Sequence, residues 1–247
     1  YIESSTSTSI NDLTDALVED NSVYIGNDPS STTSTAQYNV AVGTTALDAI
    51  TSGDFNTAVG NEALTKNTTG SYNTASGLNA LYDNTTGDYN TASGVNALYE
   101  NTSGDYNTAS GFDALKNNTQ GVYNTAIGVD ALKNNTSGDG NIGLGYRAAY
   151  ALQGGDYNIA IGYDADFSSF QVTNSIVIGK SAIGRGSNTV ALGNSDVTAV
   201  YMASDASATV YAGGLNLSGG TTVSAVKFGT VTWSDKASGT GATATFS

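Results

Sequence analysis

Glycine recurs every 17 residues across most of this chain, at Gly26, Gly43, Gly60, Gly77, Gly94, Gly111, Gly128, Gly145, Gly162 and Gly179. Two further columns keep the same step. Asparagine stands at Asn39, Asn56, Asn73, Asn90, Asn107, Asn124, Asn141 and Asn158, and alanine at 46, 63, 80, 97, 114, 131, 148, 165 and 182. The clearest units read YNTASGLNALYDNTTGD at 72–88 and YNTASGVNALYENTSGD at 89–105. A fixed internal period is the signature of a stacked repeat, and a 17-residue step is too short for helical-hairpin repeats, which need about 33 residues or more. It matches one coil of a parallel β-solenoid.

The parts of such a coil can be read in order. NTAxG is a short extended run ended by a glycine able to take the positive φ of a tight corner. The following xxAL is a second short strand or turn with one apolar anchor (Leu64, Leu81, Leu98, Leu115, Leu132), and NTTG, NTSG or NTQG closes the loop with Asn and Gly turn chemistry. Stacked at about 4.8 Å per coil, identical side chains form ladders, and a polar yet interior Asn column can hydrogen-bond along its own length. Counting Gly193, which follows Gly179 by a contracted step of 14, eleven corner glycines are available, for roughly 50 Å of stack. The ends of the array, NSVYIG (21–26), NSIVIG (174–179) and NTVALG (188–193), are more aliphatic, as capping coils should be. The fold expected is therefore all-β, a parallel β-solenoid or β-roll over 21–200. A single thin coil buries little, so lateral association into an obligate oligomer is expected.

The flanks differ. Residues 1–20 form an acidic linker in which Ile10, Leu13 and Leu17, at i, i+3, i+7, predict a short N-terminal helical or coiled-coil segment over SINDLTDALVED (9–20). Residues 201–247 lose the period and read as strands and turns rich in Thr, Val, Tyr and Gly.

Composition excludes several functions. The chain carries 22 acidic and eight basic residues, a net charge of −14, and its first basic residue is Lys66. Such a surface repels phosphate backbones and anionic lipid heads, so neither nucleic acid nor membrane insertion is expected. No basic-then-apolar leader opens the chain, and a start at Tyr1 without Met is read as processing or trimming. With no histidine and no cysteine, the commonest general base, zinc ligand and thiolate nucleophile are missing. No catalytic residue, no metal and no cofactor is therefore expected, and the chain is read as no enzyme.

At NSVYIG, NSIVIG and NTVALG, with a 14-residue last coil, the chain resembles the head repeats of trimeric autotransporter adhesins. The 17-residue YNTASGxNAL…NTTGD form is similar to arrays in phage tail-fibre proteins, which follow a segment like 9–20 and precede a run like NSDVTAVYMASD (194–205). The resemblance implies a left-handed parallel β-roll, a homotrimer, and a role as a stiff spacer and host-receptor attachment element, extracellular on a virion tail. It also implies a C-terminal trimeric segment in 201–247, followed in related fibres by a chaperone clipped off after a serine such as Ser247. The partners implied are the chain itself and a host-surface receptor or glycan. A bacterial cell-surface adhesin head or stalk is the alternative.

Sharper readings compete with this one. Sequons at Asn67, Asn84, Asn101, Asn117, Asn134 and Asn135 permit glycosylation, yet Asn-Thr-Gly is also plain turn chemistry. The column Asp54, Asp88, Asp105, Asp139 and Asp156 falls short of a calcium ladder because Ser71 and Val122 interrupt it. Thr74/Ser76, Thr91/Ser93 and Thr108/Ser110 resemble an ice-binding face, but the same positions become Val40/Val42 and Ile159/Ile161, which reads as packing. Tyr82, Tyr99, Phe112 and the Tyr72–Tyr157 column offer aromatic surface for sugars, or a stack of one ring on the next. No acid stands apart from the repeat as one of the two carboxylates glycoside cleavage requires.

Overall fold

The computed structural model describes residues 16–19, 21–26, 33–197, 231–233 and 242–244. Their contacts divide the chain at Ala199–Val200 into two units. The first unit is built of short strands. These strands are β1 (Ala16–Glu19), β2 (Ser22–Ile25), β3 (Val40–Val42), β4 (Thr57–Val59), β5 (Thr74–Ser76), β6 (Thr91–Ser93) and β7 (Thr108–Ser110). β8 (Thr125–Ile127), β9 (Ile142–Leu144), β10 (Ile159–Ile161), β11 (Asp166–Phe167), β12 (Ile176–Ile178), β13 (Ile183–Gly184) and β14 (Val190–Leu192) follow. Eleven of them, β2–β10, β12 and β14, lie side by side in chain order in one sheet. Every pairing among the eleven is parallel and in register, as in Thr74↔Thr91, Ala75↔Ala92 and Ser76↔Ser93. This is the β-solenoid expected from the 17-residue period. In the second unit β15 (Val231–Trp233) and β16 (Ala242–Ala244) pair antiparallel.

The middle residue of each strand from β3 to β10, and of β12, is buried. Ala75, Ala80 and Leu81 are fully buried in one coil, Ala92, Ala97 and Leu98 in the next. The inward apolar set is thus two alanines and a leucine, while the Thr, Ser, Val and Ile flanking the central alanine face out. Backbone bonds run between coils along the strand and through the corner, for example Thr91 N–H to Asn107 O at 2.8 Å and Leu98 N–H to Ala114 O at 3.0 Å. The xxAL stretch is a turn rather than a strand until the last coils, where β11 and β13 pair parallel in a small second sheet.

The corners are tighter than glycine alone would make them. Gly94 has φ 138°, and Tyr89, Asn96 and Leu98 in the same coil have φ 57°, 55° and 53°. Left-handed conformation costs an L-residue roughly 1–2 kcal/mol. Such strain persists where the surroundings over-determine it, and here the coils above and below hold each corner by backbone bonds.

One expectation is corrected at the start of the solenoid. Residues 16–19 are no part of a helix: β1 pairs antiparallel with β2, setting Leu17 opposite Tyr24. The outer edge of β2 carries unsatisfied N–H and C=O groups, and a strand satisfies them as a helix would not. Ile10 and Leu13 lie outside the described residues, which contain no helix.

Candidate functional site

Inside the solenoid the predicted asparagine ladder is continuous. Asn39, Asn56, Asn73, Asn90, Asn107, Asn124, Asn141 and Asn158 are at most 1% exposed. Asn90 shows the pattern. Its N–H donates to Asn73 Oδ1 at 2.9 Å, its Nδ2 donates to Gly104 O at 2.7 Å, and its Oδ1 accepts the Asn107 N–H at 2.9 Å. Serine ends the ladder at both limits, with Asn39 N–H on Ser22 Oγ and Ser175 N–H on Asn158 Oδ1. The corner glycines stack as closely: a Cβ on Gly94 would lie 2.5 Å from Gly111 O.

A second ladder lies where the sequence reading placed surface sequons. Asn67, Asn84, Asn101, Asn118 and Asn135 are fully buried. Asn101 Nδ2 donates to Asn84 Oδ1 at 2.8 Å and to Gly104 O at 3.0 Å. An Asn buried this way offers no amide for a glycan. Asn117 and Asn134 are half-buried, with Asn117 Nδ2 on Asn134 Oδ1 at 3.3 Å and Asn134 Nδ2 on Tyr150 O at 2.9 Å. The usable signal was the column itself: in KNN it is the second asparagine, Asn118 or Asn135, that keeps the 17-residue step. This ladder stops against leucine. Leu152 occupies the next rung, and Asn135 Oδ1 is buried without a partner.

The aspartate column caps backbone. Asp88 Oδ1 accepts the Ser71 N–H at 2.7 Å, Asp105 Oδ1 the Asp88 N–H at 2.7 Å, and Asp139 Oδ1 the Val122 N–H at 2.9 Å. Ser71 Oγ does the same for Asp54 N–H at 3.0 Å, which explains serine in that column. Among the described residues no group of three or more His, Cys, Asp or Glu is placed to hold a metal ion.

Two acids have distinct surroundings: Asp113, in register with Asn96 and Asp130, and the half-buried Asp166, which lies outside the acidic columns. Asp113 is 4% exposed and receives Lys133 Nζ at 2.8 Å and Asn96 Nδ2 at 2.9 Å, with Lys116 Nζ at 3.7 Å. Burial pushes its carboxyl up, but the Lys133 and Asn96 hydrogen bonds and the two lysine charges together hold it below the usual range. Lys133 also bonds Asp130 at 2.9 Å, and its hydrogen bonds to Asp113 and Asp130 raise its own pKa. Asp166 is pushed up by burial, against the N–H groups of Phe167 and Ala151 that its carboxylate accepts. It sits where the turn gives way to β11 and stands in for a backbone carbonyl. Each acid is committed to a structural partner.

From β3 to β14 the outer face of the sheet is uncharged. Three outward columns run along it, starting at Tyr38, Val40 and Val42, and from residue 38 to residue 192 none contains a charged side chain. Thr74, Ser76, Thr91, Ser93 and Thr108 are exposed at its centre, with Val40, Val42 and Val59 toward one end and Ile127, Ile161, Ile178 and Leu192 toward the other. The aromatic column is a ring stack: centroids of Tyr72 and Tyr89 are 4.7 Å apart, Tyr89 and Tyr106 4.8 Å, Tyr106 and Tyr123 5.0 Å. Tyr38 and Phe55 extend it at 4.8 and 5.0 Å. It breaks at Gly140, over which Tyr157 leans, its Cδ1 2.8 Å from where a Cβ would stand. Tyr82 and Tyr99 stack separately at 5.1 Å, capped by Lys66 Nζ 4.8 Å from the Tyr82 centroid. The rings thus cover one another's faces, and sugar stacking inside the column is closed off.

Comparison with protein-family models, curated proteins and solved structures returns no match for this chain.

Proposed function

We propose that the chain is a segment of an extended homotrimeric fibre, a stiff spacer bearing a host-attachment element as in a phage tail fibre. The observation that carries this reading is the uncharged sheet face. Charge is segregated away from it in a chain of net charge −14. The face is about 50 Å long and about 13 Å wide, on the order of 700 Å², close to the roughly 800 Å² each partner gives to a specific interface. Aliphatic coils at both ends supply dry packing, and the hydroxyl band between them supplies hydrogen bonds across the axis. The oligomer is this chain with itself, since an identical rung spacing lets copies pack coil against coil. On this reading the work is done by length and stiffness. No reaction is assigned to the chain, and the place of action is extracellular, at a virion tail.

Analytical ultracentrifugation at micromolar concentration tests the assembly: the expected species has three times the chain mass, and a folded monomer would overturn it. Electron microscopy of particles labelled against residues 89–105 tests the location, with label expected along virion tails; label on a bacterial surface would transfer the segment to a cell-bound adhesin.

A further inference from the structure

The ring stack has a property that packing alone does not require. Tyr72, Tyr89 and Tyr106 are 45–47% exposed, and Tyr123 is 62% exposed. Neighbouring rings are parallel, with interplanar angles of 1° for Tyr72–Tyr89 and 2° for Tyr89–Tyr106. Their faces are occupied by one another, so the ladder presents ring edges and phenol oxygens to solvent, once per rung. Ring edges carry the positive end of the aromatic quadrupole and favour the π face of another ring in an edge-to-face contact. A flat aromatic molecule laid lengthwise gains that contact at each rung it spans, and four rungs cover roughly 14 Å at about 4.8 Å each.

Charge selects which flat molecule. Asp88 and Asp105 each immediately precede a ladder tyrosine. Each is held by one carboxylate oxygen on the backbone of the preceding coil, Asp88 on Ser71 N–H and Asp105 on Asp88 N–H. The Tyr106 phenol feels these charges: it is raised by burial first, then by the negative fields of Tyr89, Tyr123, Asp105 and Asp88. No basic residue occupies the aromatic or the aspartate column between 71 and 123.

We infer that the Tyr72–Tyr89–Tyr106–Tyr123 ladder with its flanking Asp88 and Asp105 is a binding strip for elongated, planar, cationic aromatic ligands. Such a ligand lies along the solenoid axis, its π face on the ring edges and its positive charge beside the carboxylates. The strip is the tyrosine column at one edge of the sheet face; in the oligomer proposed above that column lies at the rim of the contact, with the columns starting at Val40 and Val42 at its centre, and one copy of the chain carries the whole strip.

Thioflavin T, a flat monocation, is the probe. Its fluorescence should rise saturably on addition of the intact soluble protein, with no fibril formation seen by light scattering. Asp88→Asn with Asp105→Asn keeps an oxygen for each backbone N–H while removing the charge. That variant should weaken binding about tenfold, since it removes two exposed charge interactions each worth up to about 1 kcal/mol, and about 1.4 kcal/mol is tenfold. Tyr89→Leu with Tyr106→Leu keeps the apolar bulk and should abolish the signal while leaving the far-ultraviolet circular dichroism unchanged. The anionic dye anilinonaphthalene sulfonate should bind poorly to all three proteins. The proposal is overturned if thioflavin T gives no signal, if the aspartate variant binds it unchanged, or if the anionic dye binds equally well.

Discussion

At the scale of single residues this fold depends on side chains that are small or doubly used. Gly94 is both a φ of 138° and a close backbone approach, with a Cβ there 2.5 Å from Gly111 O. Gly94→Val adds a branched side chain where φ disfavours any and the next coil leaves no room. A loss of more than about 4 kcal/mol is expected in urea unfolding, and a loss under about 1 kcal/mol would remove glycine's corner role. Asp113 and Lys133 give a pH signature. The Asp113 carboxyl is lowered, so its contribution is present above the unfolded value of about 3.9 and fades as pH falls through the folded value. The Lys133 ammonium is raised, so its contribution is complete below about 10.4 and fades as pH rises through its folded value. Lys133→Met should cost roughly 1–3 kcal/mol at about pH 7, because it strips a charged hydrogen bond from a buried carboxylate. The gap from the parent protein should narrow toward about pH 3, below the unfolded carboxylate value, where the stability that the lowered Asp113 carboxyl gives the parent is being lost. Denaturant melts at the two pH values measure this, and a gap independent of pH would contradict it.

At the scale of the coil, polar and apolar columns share one interior, and where one stops is a local choice. Asn135 Oδ1 has no partner because Leu152 holds the next rung. In Leu152→Asn the new Nδ2 can reach Asn135 Oδ1 and Gly155 O, repeating what Asn101 does with Asn84 Oδ1 and Gly104 O. That substitution should change stability by less than about 1 kcal/mol, whereas Leu115→Asn, in the leucine column with no ladder to join, should cost about 3 kcal/mol. Thermal unfolding of the pair decides the point, and equal losses would show that the ladder supplies no favourable place for an added asparagine. The second ladder was legible in principle from its 17-residue step, yet its NTTG and NTSG motifs are also good surface turns. Local chemistry could not separate the two; only closure of the coil put Asn67, Asn84, Asn101, Asn118 and Asn135 inside.

At the scale of the whole molecule, the solenoid unit is a linear stack in which each coil bonds to its two neighbours, so length and stability are partly separable. Deleting residues 89–105 joins Asp88 to Tyr106 and brings Thr74–Ser76 beside Thr108–Ser110, an identical TAS strand. The shortened protein should fold, lose about 4.8 Å of length by small-angle X-ray scattering, and melt within a few degrees of its parent. Failure to assemble, with Gly94→Val assembling normally, would overturn the repeat assignment.

The period alone determined the parallel register, the corner glycines, the inward asparagines and the number of rungs, because stacking repeats one solution and each column must suit every coil. Other features were decided only in three dimensions. Leu81 and Leu98 take φ of 54° and 53°, which no propensity would assign to leucine, because neighbouring coils hold the turn. Ala16–Glu19 became a strand because the edge of β2 needed hydrogen bonds more than a short apolar stripe needed a helix. The opposite shifts of Asp113 and Asp166 were set by burial and by specific donors, Lys133 and Asn96 for one and the N–H groups of Phe167 and Ala151 for the other.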